Sequence, residues 1–251
     1  MKQVTVITPA VESDGLLPMV ADILKMNKGR SDLCVSHVFV DRGPSSLECF
    51  VDEVVAGAFL VKTAIEAEKN HADGIVINCM ADPALNAVRE AVSVPVVGLA
   101  EVAMHTASIL GHKFGIIDIL DSTRTLTSLQ AASYGLESRY QSFRSIDVPV
   151  LAIEDDPERT TERLVEEGLN AIMEDHADVL ILGCGTLLGP GMEMEKEFKR
   201  RGLGVPVINP LPLAINALAA IVQTGLTHSK KAYPSPSKRT LSGLDRLLSD
   251  R

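Results

Sequence analysis

A chain of 251 residues, 46% hydrophobic and 23% charged, is long enough for one large domain or for two halves that share a cleft. A formal net charge of −9, no tryptophan and only 4% aromatics argue against bulk nucleic-acid or acidic-membrane binding and against base-stacking platforms. No apolar run is long enough for a membrane-spanning helix, the opening MKQVTVITPA reads as a strand rather than a secretory leader, and four cysteines read as free thiols of a reducing cytoplasm.

In chain order, short β-branched runs alternate with longer helical patterns. Strands are predicted over residues 4–8, 33–40, 74–78, 94–98, 114–119, 179–183 and 205–209. Most are nearly unbroken apolar stretches, as for parallel strands covered on both faces. Helices are predicted over 16–26, 47–69, 83–91, 100–110, 122–134, 157–174, 192–200 and 212–224. The alternation implies an α/β fold with parallel sheets. The Ser-, Pro- and Lys-rich stretch from His228 onward is expected to wrap the surface before a short last helix.

An internal repeat divides the chain. Ala72-Asp73-Gly74-Ile75-Val76-Ile77-Asn78-Cys79 mirrors Ala177-Asp178-Val179-Leu180-Ile181-Leu182-Gly183-Cys184 at a shift of 105, and Val94-Pro95-Val96-Val97 mirrors Val205-Pro206-Val207-Ile208 at 111. Upstream, residues 4–8 can be laid on 115–119, again at 111, a match that is weak taken alone. The series predicts two similar α/β halves, 1–98 and 99–207, related by a pseudo-two-fold axis with the active site in the cleft between them.

Cys79 and Cys184 each end a strand and precede a loop into a helix, where open α/β sheets bind ligands. Two thiols facing each other suit the inversion of a carbon bearing an acidic hydrogen. One thiolate removes the proton, the opposite thiol delivers another, and a modest downward pKa shift would serve both. Helix N-termini beyond each loop would favour thiolate and an anionic enolate. The competing reading is core packing, since free cysteine is often buried; the matched repeat positions weigh against it. Cys34, in a strand pattern, and Cys49, in a helix pattern, have no such match and read as packing residues. No Cys-x-x-Cys and no zincin-type His pair points to a metal.

At this point the residues resemble a known family. Cys79-Met80-Ala81-Asp82-Pro83, Gly43-Pro44-Ser45-Ser46-Leu47-Glu48, the stretch from Val96 to His105, Leu182-Gly183-Cys184-Gly185 and Gly225-Leu226-Thr227-His228-Ser229-Lys230 are similar, in this order, to motifs of the aspartate/glutamate/hydantoin racemases. The hydantoin and allantoin branch fits best, because Met80-Ala81 and Gly185-Thr186 stand where glutamate racemases carry Asn-Thr and Thr-His. The resemblance implies cofactor-independent racemisation of a small molecule by two cysteines, a homo-oligomer, and a C-terminal segment, 208–251, that packs back on the first half. It has two departures. Thr8-Pro9-Ala10 replaces the usual Asn-Pro-Asn, and Asp118-Ile119 stands where threonine is usual; both lie at strand ends and bear on substrate choice.

Further polar residues have two readings each. Ser45 and Ser46 line the cleft or cap the helix near Leu47; Asp82 caps the helix after Cys79. Asp118 recognises a substrate N–H or caps the helix near Ser122. Glu101 and His105, four apart on one helix face, pair with each other or support the site. Gly183 and Gly185 allow close backbone approach and expose N–H donors. The expectation is a cytoplasmic isomerase, without cofactor, metal, nucleic acid or membrane, that racemises a 5-substituted hydantoin or allantoin. A related two-cysteine enzyme of amino acids or diacids, and a binding protein that has lost catalysis, remain the alternatives.

Overall fold

The computed structural model describes residues 1–237. The first half runs β1 (Lys2–Thr8), α1 (Leu17–Lys25), β2 (Leu33–Phe39), α2 (Phe50–Lys69), β3 (Gly74–Ile77), α3 (Leu85–Ala91) and β4 (Val96–Gly98). Then follow α4 (Leu99–Leu110), β5 (Phe114–Asp118), α5 (Arg124–Ser133), β6 (Tyr140–Ser145), α6 (Pro157–Met173), β7 (Val179–Leu182), α7 (Leu188–Arg200), β8 (Val207–Ile208) and α8 (Pro210–Thr224). The order β2-β1-β3-β4 in one sheet repeats as β6-β5-β7-β8 in the other, with every pair parallel. Each sheet is covered by helices on both faces, which is why its central strands are apolar throughout: β3 and β7 are buried at every position.

Strand register corrects the upstream part of the repeat. Val4 pairs with Gly74 and Ile7 with Ile77, while Phe114 pairs with Val179 and Ile117 with Leu182. With Gly74 laid on Val179, Val4 falls on Phe114 and Thr8 on Asp118, a shift of 110 rather than 111. Apolar strands look alike in neighbouring registers, and only the ladder decides between them. The same ladders place Ile208 in the second sheet, one residue past the expected boundary.

The helix that follows each sheet covers the other one. Ala100, Ala103, Met104 and Ala107 of α4 pack with Phe114, Ile116, Val179 and Ile181, whereas Leu211, Ala214, Leu218 and Val222 of α8 pack with Val4, Val6, Val76 and Val97. Beyond α8, the Thr227 hydroxyl donates to Ser93 O (2.5 Å), and Lys230 Nζ donates to the Arg89 and Val92 carbonyls (2.9 and 2.5 Å), capping the end of α3. The expected short last helix lies outside the described residues.

One strand and several helix ends escaped the sequence reading. β6 is a polar edge strand in which only Phe143 is buried, so it lacks the apolar run that marks the others. α2 starts at Phe50 and not near Leu47, because residues 43–49 form a loop. α7 starts at Leu188 although Gly189-Pro190-Gly191 reads as a breaker. Proline is tolerated in a first turn, where its missing N–H would have no partner. Gly191 lies so close to Leu182 that a Cβ would sit 2.1 Å from its Cδ1. No helix among the described residues is long and apolar enough to cross a membrane.

Candidate active site

The carboxyl ends of β1, β3, β5 and β7 open onto one cavity, where an open α/β sheet binds its ligand. Cys79 and Cys184 both line it, with Thr8, Pro9, Ser46, Met80, Ala81, Asp118, Ile119, Gly183, Gly185 and Thr186. Of the residues expected to bind substrate, Ser45 alone stays off the wall, and it is exposed; Asp82, Glu101 and His105 lie off the wall too.

Each cysteine is held by its own loop and by the other half. Beyond β3 the chain turns sharply, and the Ala81 N–H approaches Cys79 Sγ at 3.4 Å. The Gln130 amide of α5 donates to Met80 O (2.9 Å), and the hydroxyl of Tyr134, which directly follows α5, to Asp82 Oδ2 (2.7 Å). Asp82 does not cap α3. It lies at φ 45° and Ala84 at φ 51°, so the chain turns the Asp82 carboxyl onto the start of α4, where it accepts from Ala100 N (3.1 Å) and Glu101 N (2.8 Å). Cys184 stands directly before the helical turn Gly185–Leu187, which runs into α7, and its Sγ is 2.9 Å from Thr186 Oγ1. A Cβ on Gly185 would be 2.2 Å from Asn78 Oδ1, so glycine lets the second cysteine loop rest on the end of β3.

The strand ends themselves differ. Thr8 accepts from Asn78 Nδ2 (3.0 Å), and its hydroxyl lies 2.8 Å from His37 Nε2. Burial pushes His37 down to about 4, so this end is uncharged. At the equivalent end Asp118 takes Ile119 N–H (2.7 Å) and the Thr123 hydroxyl (2.7 Å), and burial pushes its carboxyl up to about 6. Gly183 makes room for it, since a Cβ there would sit 2.5 Å from Asp118 Cγ. Asp118 thus both fastens the loop before α5 and reaches the cavity.

The thiols are shifted opposite to expectation. Burial holds Cys79 well above the usual thiol range, and the charges of Cys184, Asp82 and Glu53 add to this. Burial lifts Cys184 to about 11, with Asp118 and Glu48 adding and hydrogen bonds from Thr186 opposing. No Lys, Arg or His lines the cavity among the described residues, so nothing cationic offsets desolvation.

Several wall residues had not been marked. Asn78, Glu53 and Thr123 line the cavity, and burial pushes Glu53 up to about 7. Nothing in the sequence sets Glu53 apart from any acidic residue of a first helical turn. Cys49 is not a packing residue. It precedes α2, is exposed, lines the cavity and donates from Sγ to Asp52 Oδ2 (3.2 Å). Cys34 is half-buried in β2. Ser46 caps no helix; it donates to Glu48 Oε1 (3.1 Å), which also takes Val150 N–H (3.2 Å) from the second half. Glu101 pairs with Arg89 rather than with His105, which lies beside Tyr134. Among the described residues no group of three or more His, Cys, Asp or Glu is arranged to hold a metal ion.

With this geometry in hand, likeness to known proteins is decisive. The profile described as Asp/Glu/Hydantoin racemase matches residues 11–218. The chain belongs to this family. It is 34% identical to the hydantoin racemase of Pseudomonas sp. (strain NS671) over 85% of its length and 84% of that protein's. It is 31% identical to the hydantoin racemase of Paenarthrobacter aurescens over 94% and 98% of the two. Allantoin racemase from Klebsiella pneumoniae superposes with a TM-score of 0.90 at 28% identity, covering 99% of both chains. The protein is therefore an isomerase, a racemase of this family. The family match spans both cysteine loops and the cavity wall apart from Thr8, Pro9 and Ala10.

Proposed function

We propose that this racemase inverts the carbon beside a carbonyl in a small cyclic ureide, a 5-substituted hydantoin or allantoin, with Cys79 and Cys184 as the alternating base and acid. The observation that carries the reading is the chemistry of the wall: Cys79 from one half and Cys184 from the other, two carboxyls (Asp118 and Glu53) and no basic side chain among the described residues. A carboxylate substrate, whether amino acid or diacid, would enter beside two carboxyls with no cation to pair it, which is costly in a desolvated site. A neutral ring that offers N–H donors meets acceptors instead. The named relatives act on hydantoins and allantoin, which agrees.

In the forward direction one cysteine, as thiolate, takes the ring C–H proton. The S–H bond forms as the C–H bond breaks, and the electron pair moves onto the neighbouring carbonyl oxygen. In this reading backbone N–H groups near the cysteines receive that charge. The opposite thiol then gives its proton to the other face of the carbon. The step is closed by these side chains, with no cofactor. Burial holds both thiols protonated, so one proton must leave before the first turnover.

The test is proton–deuterium exchange in D₂O, followed by NMR, on hydantoins, allantoin, aspartate and glutamate. Racemisation with exchange is expected on a ureide and lost in Cys79→Ser and in Cys184→Ser. Either single variant can still exchange the proton of one enantiomer, since one base remains. Wild-type racemisation by either variant would overturn the mechanism. Exchange on the amino acids alone would favour the amino-acid reading, and no exchange on any of these compounds would overturn the ureide reading.

A further inference from the structure

Almost every polar group on the cavity wall already has a partner. Asp118 holds Ile119 N–H and the Thr123 hydroxyl, Thr8 bonds Asn78, Ser46 bonds Glu48, and Thr186 bonds Cys184. Asp52, next to Glu53, is used by its own loop, where Oδ2 takes Glu48 N–H (3.0 Å) and Cys49 S–H (3.2 Å). Two buried acceptors on the wall lack a partner, Asn78 Oδ1 and Glu53 Oε1. The first is pressed against the Gly185 backbone. Glu53 Oε1 is also shut off from water, but its side chain lines the cavity and rotation about its torsions can turn the oxygen toward a ligand.

An unpartnered carboxylate oxygen buried beside a thiol is costly to the empty protein. That cost falls when a ligand brings a donor. Glu53 and Cys79 line the same cavity, and the carboxyl's charge adds to what holds the Cys79 thiol up. We propose that Glu53 is a further substrate-binding residue whose Oε1 accepts an N–H of the substrate ring as the ring settles against Cys79. This rests on the ureide reading above, and it gives that reading an orientation: a ring N–H points to Glu53 and fixes which face of the carbon meets Cys79. Burial pushes the carboxyl up to about 7, and an N–H donor would favour its ionised form.

The experiment is a cycle between residue and ligand. Calorimetric binding of a 5-alkyl hydantoin and its N1-methyl and N3-methyl derivatives is measured for wild type, Glu53→Gln and Glu53→Leu, with KM and kcat determined for the parent hydantoin. In the wild type, methylation of the contacted nitrogen should weaken binding by about tenfold or more, as for loss of a charge-assisted hydrogen bond. In Glu53→Leu that penalty should shrink to about twofold, with Glu53→Gln between, and KM should rise more than kcat falls. Both variants should fold, because each removes an unpaired buried charge. A methylation penalty that stays the same in both variants, or wild-type KM in both, would overturn the assignment of Glu53 and leave the ureide reading standing. A wild-type protein that neither binds the hydantoins nor exchanges their C–H would overturn both.

Discussion

Cys79 and Cys184 sit in a cavity that withholds the charged state the proposed mechanism uses. Neutral thiols dominate at about pH 7, because burial raises both and the carboxyls around them raise them further. Alkylation of these two residues in the empty protein should be slow near neutrality and climb about tenfold per pH unit until each thiol's own pKa is reached. Mass spectrometry of iodoacetamide adducts between about pH 7 and 10 reads this directly. Asp118, with its carboxyl at about 6, is ionised over that span and holds Cys184 up, so Asp118→Asn should speed labelling of Cys184 more than of Cys79. Fast, pH-independent labelling of Cys184 at neutrality would contradict this account. Exposed Cys49 serves as the internal reference.

At the scale of elements, the Cys79 loop is positioned by a carboxyl that belongs to it but caps another helix. Asp82 joins β3, the start of α4 and α5 through Ala100, Glu101 and Tyr134. A Cβ on Gly98 would lie 2.3 Å from its Cγ and Oδ1, so Gly98→Ala should push the carboxyl off both N–H groups. The loss is expected to be about 2–4 kcal/mol in thermal or denaturant unfolding, with racemisation impaired as the loop shifts. Asp82→Asn keeps an acceptor for the helix and removes the charge. Burial pushes Asp82 up to about 7 in the folded protein, above the unfolded value of about 3.9. Its contribution is therefore fully present below the unfolded pKa and is lost as pH rises through about 7. The unfolding midpoint of wild type should thus fall from about pH 5 to pH 8 more than that of Asp82→Asn. Equal slopes would mean that the folded carboxyl is already ionised at about pH 5, its pKa not raised by burial.

At the scale of the whole molecule, α2 borders the cavity on one side and presents an apolar face on the other. Val51 is 69% exposed and Val54 79%, with Phe50, Val55 and Ala58 exposed beside them. This face carries no charge in a chain whose net charge is −9, so two copies meeting there avoid the repulsion they would feel elsewhere. The expected homo-oligomer is accordingly proposed to bury α2. Light scattering after gel filtration should report a multiple of the 26.9 kDa chain, and Val54→Glu should lower it. A wild-type monomer, or an assembly that Val54→Glu does not weaken, would place the contact elsewhere or remove it.

Much of the architecture was legible because its determinants are local. Unbroken apolar runs such as 74–77 and 179–182 mark strands buried on both faces, and the identical spacing from Asp73 to Cys79 and from Asp178 to Cys184 marks the repeat. A cysteine at the end of such a strand faces the ligand crevice whatever the distant parts do, which is why Cys79 and Cys184 could be named in advance. What depends on contacts far apart in the chain was decided only on folding. β6 is a strand because β5 offers it an edge, Asp82 turns to α4 because two left-handed residues aim it there, and Thr8 matches Asp118 because the ladders set the register. The charge state of the site belongs to the same class. The pKa of a thiol or of Glu53 is set by how much water and which charges surround it, and those neighbours come from both halves of the folded chain.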